Sequence, residues 1–247
     1  MADGGDVLVW GVHAVRAVLA RRPRDVLEVL ALPDVAARLG YSEGAPAGMS
    51  APLTHVDRAQ LDRRAGGAAH QGVIARVRPA RALGEPDLDA LLAQHGEPLV
   101  LVLDGVQDPG NLGACLRTAD AAGVHAVVVP QRRAVGLTPA VRKTACGAAE
   151  HVPLVVVANL ARVLRTLGDA GVTRVAADAG APLALAQADL RGPLAWVLGG
   201  EGQGLRALTR SLCDVAVTIP LHGVAGSLNV SVATGICLYE TRRQRGF

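Results

Sequence analysis

Residues 99–117 read LVLVLDGVQDPGNLGACLR, and this stretch decides the fold class. Its first five residues form an unbroken apolar run, which is typical of a strand buried on both faces. Asp108, Pro109 and Gly110 are turn residues, and a helix is predicted over 112–122. A buried strand, a tight turn and a helix in this order predict one unit of an α/β fold.

The same alternation continues toward the carboxyl end. We predict further strands at 125–129, 153–157, 173–177, 194–198 and 215–219. We predict further helices at 138–149, 160–169, 205–212 and from about 227 onward. Because the joints between these elements are short, the pattern predicts a parallel sheet that helices cover on both sides.

The residues before this stretch predict a smaller α/β unit. Their patterns indicate a helix at 12–20 and strands at 26–30, 51–56 and 71–77. Glycines and prolines are frequent between 79 and 98, around a short polar helix. We therefore predict an amino-terminal domain at 1–78, a linker at 79–98 and a larger domain at 99–247.

The composition excludes several classes of protein. The chain has 247 residues, of which 50% are hydrophobic and only 2% aromatic, so the core must be aliphatic. No apolar run reaches the ~18 residues that a membrane span needs, and the short acidic start does not resemble a signal peptide. We expect a cytoplasmic protein without a membrane partner.

The four cysteines lie far apart and lack the spacing of zinc ligands. We expect no metal site and no disulfide, and we interpret all four as small buried hydrophobic residues. They are Cys115, Cys146, Cys213 and Cys237.

The net charge is only +3, but arginines cluster in the amino-terminal domain. The cluster contains Arg58, Arg63, Arg64, Arg76, Arg78 and Arg81. Such a cluster is either an ordinary solvated face or a surface that binds phosphates. Because aromatic residues are scarce, the second interpretation favours phosphate contacts over base stacking.

Ligands of parallel sheets bind outside the carboxyl ends of the strands, and three joints there are unusual in composition: 104–117, 199–204 and 219–229. From the residues alone, Asn111 or Ser227 could simply cap a helix, and Glu201 could be a solvated loop carboxylate. Gly202 and Gly204 fit a loose dinucleotide fingerprint, but the acidic residue expected about 20 positions later is missing.

Together the three joints resemble the motifs of the SpoU (TrmH-like, SPOUT) class of RNA 2′-O-methyltransferases. The matching residues are NLGxxxR at 111–117, GGEGxG at 199–204, IPL at 219–221 and SLNVSVA at 227–233. The segments 10–15 and 69–75 resemble the substrate-binding domain of the same class. The segments 119–126 and 144–150 are closest to the subfamily that methylates a guanosine in the peptidyl-transferase region of 23S rRNA.

The resemblance implies a carboxyl-terminal SPOUT domain with a trefoil knot, which no pattern rule would predict, and an L30e-like amino-terminal domain that holds RNA. It also implies S-adenosylmethionine as the cofactor, no metal, and a homodimer with active sites at the subunit interface. RNA, and neither DNA nor a membrane, is the implied partner.

The resemblance also assigns residues. Arg117 would be the catalytic arginine that contacts an RNA phosphate and helps to take the 2′-hydroxyl proton. The other catalytic residues implied are Asn111, Glu201, Ser227 and Asn229. The cofactor would be held mainly by backbone groups of Gly199, Gly200, Ile219, Leu221 and Leu228. For RNA we predict contacts from Arg58, Arg63, Arg64, His70 and Gln71.

Three alternatives stay open at this point. The same chemistry could act on a tRNA ribose or on an rRNA nucleotide that antibiotics target. A non-catalytic RNA-binding or assembly factor would be expected to have lost motif residues, and here they are present. The third alternative is a dinucleotide-dependent dehydrogenase, but this chain lacks the acidic residue of that fingerprint.

Overall fold

The structure is a computed structural model that describes residues 6–40, 51–67, 69–78, 83–202 and 204–246. Residues 79–82 of the predicted linker, which include Arg81, lie outside the described residues.

The chain divides into two compact units. The first consists of Met1–Arg81 together with Leu137–His151, and the second of Ala82–Gly136 together with Val152–Phe247. This division differs from the predicted one in two places. Residues 83–98 contain a helix that packs on the sheet of the second unit, and 137–151 packs with the amino-terminal residues although it lies within the predicted larger domain.

The first unit contains a four-stranded sheet. Its strands are β1 (Val7–Trp10), β2 (Val26–Ala31), β3 (Leu53–His55) and β4 (Val73–Val77), in the order β1-β4-β2-β3. Strand β4 is antiparallel to β1 and β2, and β2 is parallel to β3. The helices are α1 (Val12–Arg21), α2 (Pro33–Arg38), α3 (Arg58–Ala65) and α6 (Pro139–Ala145). The predicted strands and the first helix are confirmed, and β1, α2 and α3 are additional.

The predicted helix 138–149 is shorter than expected. It ends at Ala145 because Cys146 and Gly147 both adopt left-handed backbone conformations, and a 3-10 turn follows at Ala148–Glu150. At Gly147 a Cβ atom would lie 3.1 Å from the carbonyl oxygen of His13, with φ at +96°. The glycine therefore allows this segment to pack closely against α1.

The second unit contains the predicted parallel sheet, with seven strands in the order β7-β6-β5-β10-β8-β11-β9. Six of them were predicted, and the two-residue strand β9 is additional. The strands are β5 (Leu99–Asp104), β6 (Ala126–Pro130), β7 (Leu154–Val157), β8 (Thr173–Ala177), β9 (Leu183–Ala184), β10 (Leu194–Gly199) and β11 (Val215–Thr218). The helices are α4 (Glu85–Leu92), α5 (Pro109–Ala121), α7 (Leu160–Asp169), α8 (Ala207–Ser211) and α9 (Val230–Arg245). All observed pairs in this sheet are parallel.

Helices cover both faces of this sheet, as the apolar run of β5 predicts. Val100 and Val197 belong to an apolar cluster with α4 and α7. Trp196 points the other way, and its indole nitrogen donates a 2.8 Å hydrogen bond to Thr241 on α9. Helix α9 also packs against α5. The strand ends are thereby held in a rigid, two-sided frame.

The interpretation of the cysteines is correct for two of the four side chains. Cys115 and Cys237 are buried, Cys213 is half-buried, and Cys146 is exposed. Burial raises the pKa of the Cys115 thiol to about 11, so this thiol is protonated at neutral pH and acts as a packing residue. The prediction is wrong for Cys146, because the helix ends there and its side chain leaves the packed face.

Within the part of the chain that the structure describes, no helix is long and apolar enough to cross a bilayer. The same residues hold no group of three or more His, Cys, Asp or Glu side chains that could bind a metal ion.

Candidate active site

The joints 199–204 and 219–229 lie around one cavity of about 420 Å³ at the carboxyl ends of β8, β10 and β11. This volume is within the range of small-molecule sites. The lining includes all five residues predicted to hold a cofactor: Gly199, Gly200, Ile219, Leu221 and Leu228. It also includes three of the predicted catalytic residues: Glu201, Ser227 and Asn229.

Two of the lining glycines are required by the backbone itself. A Cβ atom on Gly199 would lie 2.1 Å from the carbonyl carbon of Gly204, and one on Gly200 would lie 2.2 Å from the carbonyl oxygen of Gly105. Both neighbours are main-chain atoms, so neither can move aside without shifting a loop. The glycines allow the 199–204 loop to fold back on itself and keep its peptide groups at the cavity wall.

Asp104, the last residue of β5, holds the 199–204 loop in place. Its side chain is buried and accepts hydrogen bonds from Arg206 Nε at 2.9 Å and from Thr209 Oγ1 at 2.6 Å. Its carbonyl oxygen accepts the N–H of Gly200 at 2.8 Å. One residue therefore fixes both the glycine loop and the start of α8, because a buried carboxylate must be paired. No pattern in the sequence indicates this role.

Asn111 is linked to the cavity by a hydrogen bond with Asn229, which is part of the lining. The side-chain nitrogen of Asn229 donates to Asn111 Oδ1 at 2.9 Å, while Asn229 Oδ1 accepts the N–H of Ser231 at 2.9 Å. Asn229 is thus the cap of α9, and Asp108 caps α5 by accepting the N–H of Asn111 at 2.7 Å. Neither Ser227 nor Asn111 has the capping role that was the alternative for it.

Arg117 is not among the residues that line the cavity. Its side chain is exposed on α5, and it is outside the lining of the cavity in the described part of the chain. The side chains of Glu201, Ser227 and Asn229 are exposed at the cavity. The structure therefore brings together the joints 199–204 and 219–229 with Asn111, whereas Arg117 is an exposed residue of α5 outside the cavity lining.

The predicted RNA-binding residues belong to the first unit and fall into two groups. Arg58, Arg63 and Arg64 are exposed on α3. Arg64 Nη1 lies 3.6 Å from Glu28 Oε2. The second group is His70 and Gln71, and the ring of His70 is buried.

Both ring nitrogens of His70 are engaged inside the unit. Nδ1 accepts the N–H of Gly72 at 3.1 Å, and Nε2 lies 2.9 Å from Asp62 Oδ1. The side-chain oxygen of Gln71 accepts the N–H of Val12 at 3.1 Å, at the start of α1. The expected RNA contact of His70 therefore disagrees with its burial, and Gln71 uses one of the two acceptor positions of its oxygen within the unit.

One charged residue of the cavity lining was not among the predicted site residues. Asp178 directly follows β8, faces the cavity, and accepts hydrogen bonds from Gly180 N–H at 3.0 Å and Arg210 Nε at 2.9 Å. Both hydrogen bonds lower the pKa of its carboxyl group, and the bond from the Gly180 N–H has the larger effect. The strand-end rule contains the signal, because Asp178 is the first residue after the predicted strand 173–177.

The cavity fits a cofactor with an adenosyl group. Its walls combine apolar side chains with backbone groups, and the glycines at 199 and 200 allow close approach to the main chain. Backbone N–H and C=O groups can read the edge of a base, and the apolar side chains can enclose its faces.

Comparison with known proteins gives a consistent result. The model of the SpoU rRNA Methylase family matches residues 98–239, and the model described as RNA 2'-O ribose methyltransferase substrate binding matches 8–83. The 23S rRNA (guanosine-2'-O-)-methyltransferase RlmB of Photobacterium profundum is 51% identical over 239 residues, covering 96% of this chain and 98% of that protein. The protein of the same name from Vibrio cholerae is 52% identical, covering 96% and 97%.

Solved structures show the same fold. The SpoU methyltransferase AviRb from Streptomyces viridochromogenes has a TM-score of 0.79 at 27% identity, covering 98% of this chain and 90% of that one. Its complex with the cofactor AdoMet has a TM-score of 0.78 at 26% identity, covering 98% and 91%.

Proposed function

Because the chain belongs to the SpoU rRNA methylase family, we propose that it transfers the methyl group of S-adenosylmethionine to the 2′-hydroxyl of a guanosine in 23S rRNA. One observation carries this proposal: residues from two separate joints, 199–204 and 219–229, line a single cavity whose walls combine backbone groups with apolar side chains. With ribosomal RNA as the substrate, the reaction would take place in the cytoplasm.

The chain's own residues have to supply binding and alignment. Backbone groups of Gly199, Ile219 and Leu228 would hold the cofactor. When bound, the cofactor supplies a methyl group on a positively charged sulfur, and the rest of the cofactor is a good leaving group. The remaining difficulty is the weakly acidic ribose hydroxyl. The site must therefore hold that oxygen in line with the methyl group and stabilise the charge that develops on it.

Asn111 and Asn229 would orient the ribose. The amide of Asn229 is fixed by its bonds to Ser231 and Asn111, and the oxygen of Asn111 is occupied by Asn229. This bond orients the Asn111 amide, whose nitrogen can donate to the ribose. Glu201 and Ser227, exposed at the same cavity, would complete the polar set around the hydroxyl.

Arg117 would act on the RNA. A guanidinium stays protonated in proteins, so it donates hydrogen bonds and binds phosphate rather than accepting a proton. We assign Arg117 to the phosphate beside the target ribose and to the hydroxyl oxygen. Its exposed position on α5 supports a role toward a macromolecular substrate.

We also propose that the protein is a homodimer with composite sites. Support comes from α9, where Val232 is 50% and Tyr239 is 63% exposed. Light scattering at working concentration should give twice the mass of the chain, and Tyr239→Glu should shift it toward a monomer. A fully active monomer would contradict this proposal.

For the first unit we infer an L30e-like domain that holds RNA, supported by the substrate-binding match over 8–83 and by the exposed arginines of α3. For the second unit we infer the trefoil knot of the SPOUT class. Support comes from the path of the chain, because α9 follows the 219–229 joint and returns to pack against α5 and β10.

The function is tested by mapping ribose methylation in rRNA and tRNA of a strain that lacks the gene. We expect one 2′-O-methylguanosine of 23S rRNA to disappear and to return with the wild-type gene. Loss of a tRNA methyl group, with 23S rRNA unchanged, would overturn the proposed substrate. An unchanged pattern in both RNAs would overturn the proposed reaction.

A further inference from the structure

Asp178 is a charged side chain in the cavity to which the family motifs give no role. It follows β8, whereas Asn111 follows β5, and β10 lies between these two strands. Adjacent strands are about 4.8 Å apart, so two spacings separate the ends of β5 and β8 by roughly 10 Å. Asp178 therefore joins the cavity lining from the β8 side, and its hydrogen-bond partners, Gly180 and Arg210, differ from those of Asn229.

The Asp178 carboxylate is held in place but retains acceptor capacity. Gly180 N–H occupies one oxygen at 3.0 Å and Arg210 Nε the other at 2.9 Å. A carboxylate has about four acceptor positions, so each oxygen can take one more donor. The lowered pKa keeps the group ionised at neutral pH.

We propose that Asp178 binds the two vicinal hydroxyls of the cofactor's ribose. This assignment rests on the proposed function. A fixed carboxylate with one open acceptor position on each oxygen matches two adjacent O–H donors, as acidic residues do in dinucleotide sites. Because Arg210 already neutralises Asp178, a neutral diol suits the pair better than the ammonium group at the other end of the cofactor.

The test measures binding by calorimetry and does not depend on turnover. S-adenosylhomocysteine carries the ribose and the ammonium group, whereas 5′-methylthioadenosine carries the ribose alone. Both would be titrated into wild type, Asp178→Asn and the control Asp189→Asn. Asp189 forms a comparable pair with Arg191 at 2.8 Å, but outside the cavity lining. Thermal unfolding would verify that each variant is folded.

We expect Asp178→Asn to weaken both ligands by a similar factor of about ten to a hundred, the range for hydrogen bonds to a charged group. Asp189→Asn should leave both affinities unchanged. The 2′-deoxy form of 5′-methylthioadenosine should bind wild type more weakly and show a smaller drop in affinity in Asp178→Asn, because the two changes remove the same hydrogen bond.

Three outcomes would overturn the assignment. Weaker binding of S-adenosylhomocysteine alone would show that Asp178 contacts the ammonium group instead of the ribose. Unchanged affinities for both ligands in a folded Asp178→Asn variant would leave it a structural partner of Arg210. Failure of the wild-type protein to bind S-adenosylhomocysteine would overturn the proposed function itself, and the assignment with it.

Discussion

The strand-end cavity of the second unit and the turn at 69–72 of the first unit both contain motif residues, but these residues do different work. Around the cavity, Gly199, Gly200 and Leu228 are part of the lining. In the turn, His70 and Gln71 direct their hydrogen bonds inward, to Gly72 and Val12. A motif residue can therefore line a ligand site or stabilise a turn of the fold, and its place in the structure distinguishes the two.

The largest expected effect concerns the cavity. Gly200→Ala places a methyl group against the Gly105 carbonyl oxygen, so the 199–204 loop must move. We expect binding of S-adenosylhomocysteine to fall by more than about 100-fold, because the backbone groups that line the site are displaced. Calorimetry of the folded variant measures this decrease.

The control for this change is Gly136→Ala, at a glycine whose added Cβ would meet no atom within 4 Å. It should bind the ligand as the wild type does. Normal affinity in Gly200→Ala would show that the cavity is not the cofactor site.

The next effect concerns the turn of the first unit. His70→Ala removes a side chain that is 3% exposed and leaves the Gly72 N–H without its acceptor. We expect the free energy of unfolding to fall by about 2–3 kcal/mol, measured by urea denaturation. RNA affinity of the folded fraction should stay within about twofold of wild type.

Asp62→Ala is the matched control for His70→Ala. It removes only the partner at 2.9 Å, whose side chain is 60% exposed, so its cost should be smaller. An unaltered stability together with a large decrease in RNA affinity in His70→Ala would show that His70 contacts RNA after all.

The smallest expected effect concerns the exposed arginines of α3. Neutralising Arg63 and Arg64 together should weaken RNA binding and reduce the log–log salt slope by roughly 0.7–0.9 for each RNA phosphate that the variant no longer neutralises. Stability should change by less than about 0.5 kcal/mol because both side chains are exposed. An unchanged salt slope would assign RNA binding to the second unit alone.

The sequence predicted the sheet of the second unit well because its strands are continuous apolar runs, and burial on both faces leaves few alternatives for residues such as Val100 and Val102. Short elements were harder. Helix α3 begins with a capping box between Asp57 and Gln60, but its charged residues suggested a patch rather than a helix. Strand β1 has four residues, of which only Val9 is buried, whereas the equally short β7 belongs to an apolar run with three buried residues.

The candidate site was predictable where composition was unusual and not where it was ordinary. The glycine-rich joints stood out, whereas Asp104 and Asp178 look like common strand-end acids. Their roles depend on partners far away in sequence, Arg206 for the first and Arg210 for the second. Only the folded chain brings such pairs together.

The central claim is that the second unit binds the cofactor in the strand-end cavity while Arg117, outside its lining, acts on the RNA. Titration of S-adenosylhomocysteine into Arg117→Ala, a variant expected to be inactive in methyl transfer, tests it most directly. The account predicts a dissociation constant within about twofold of wild type. A decrease in cofactor affinity as large as the decrease in methyl transfer would contradict it.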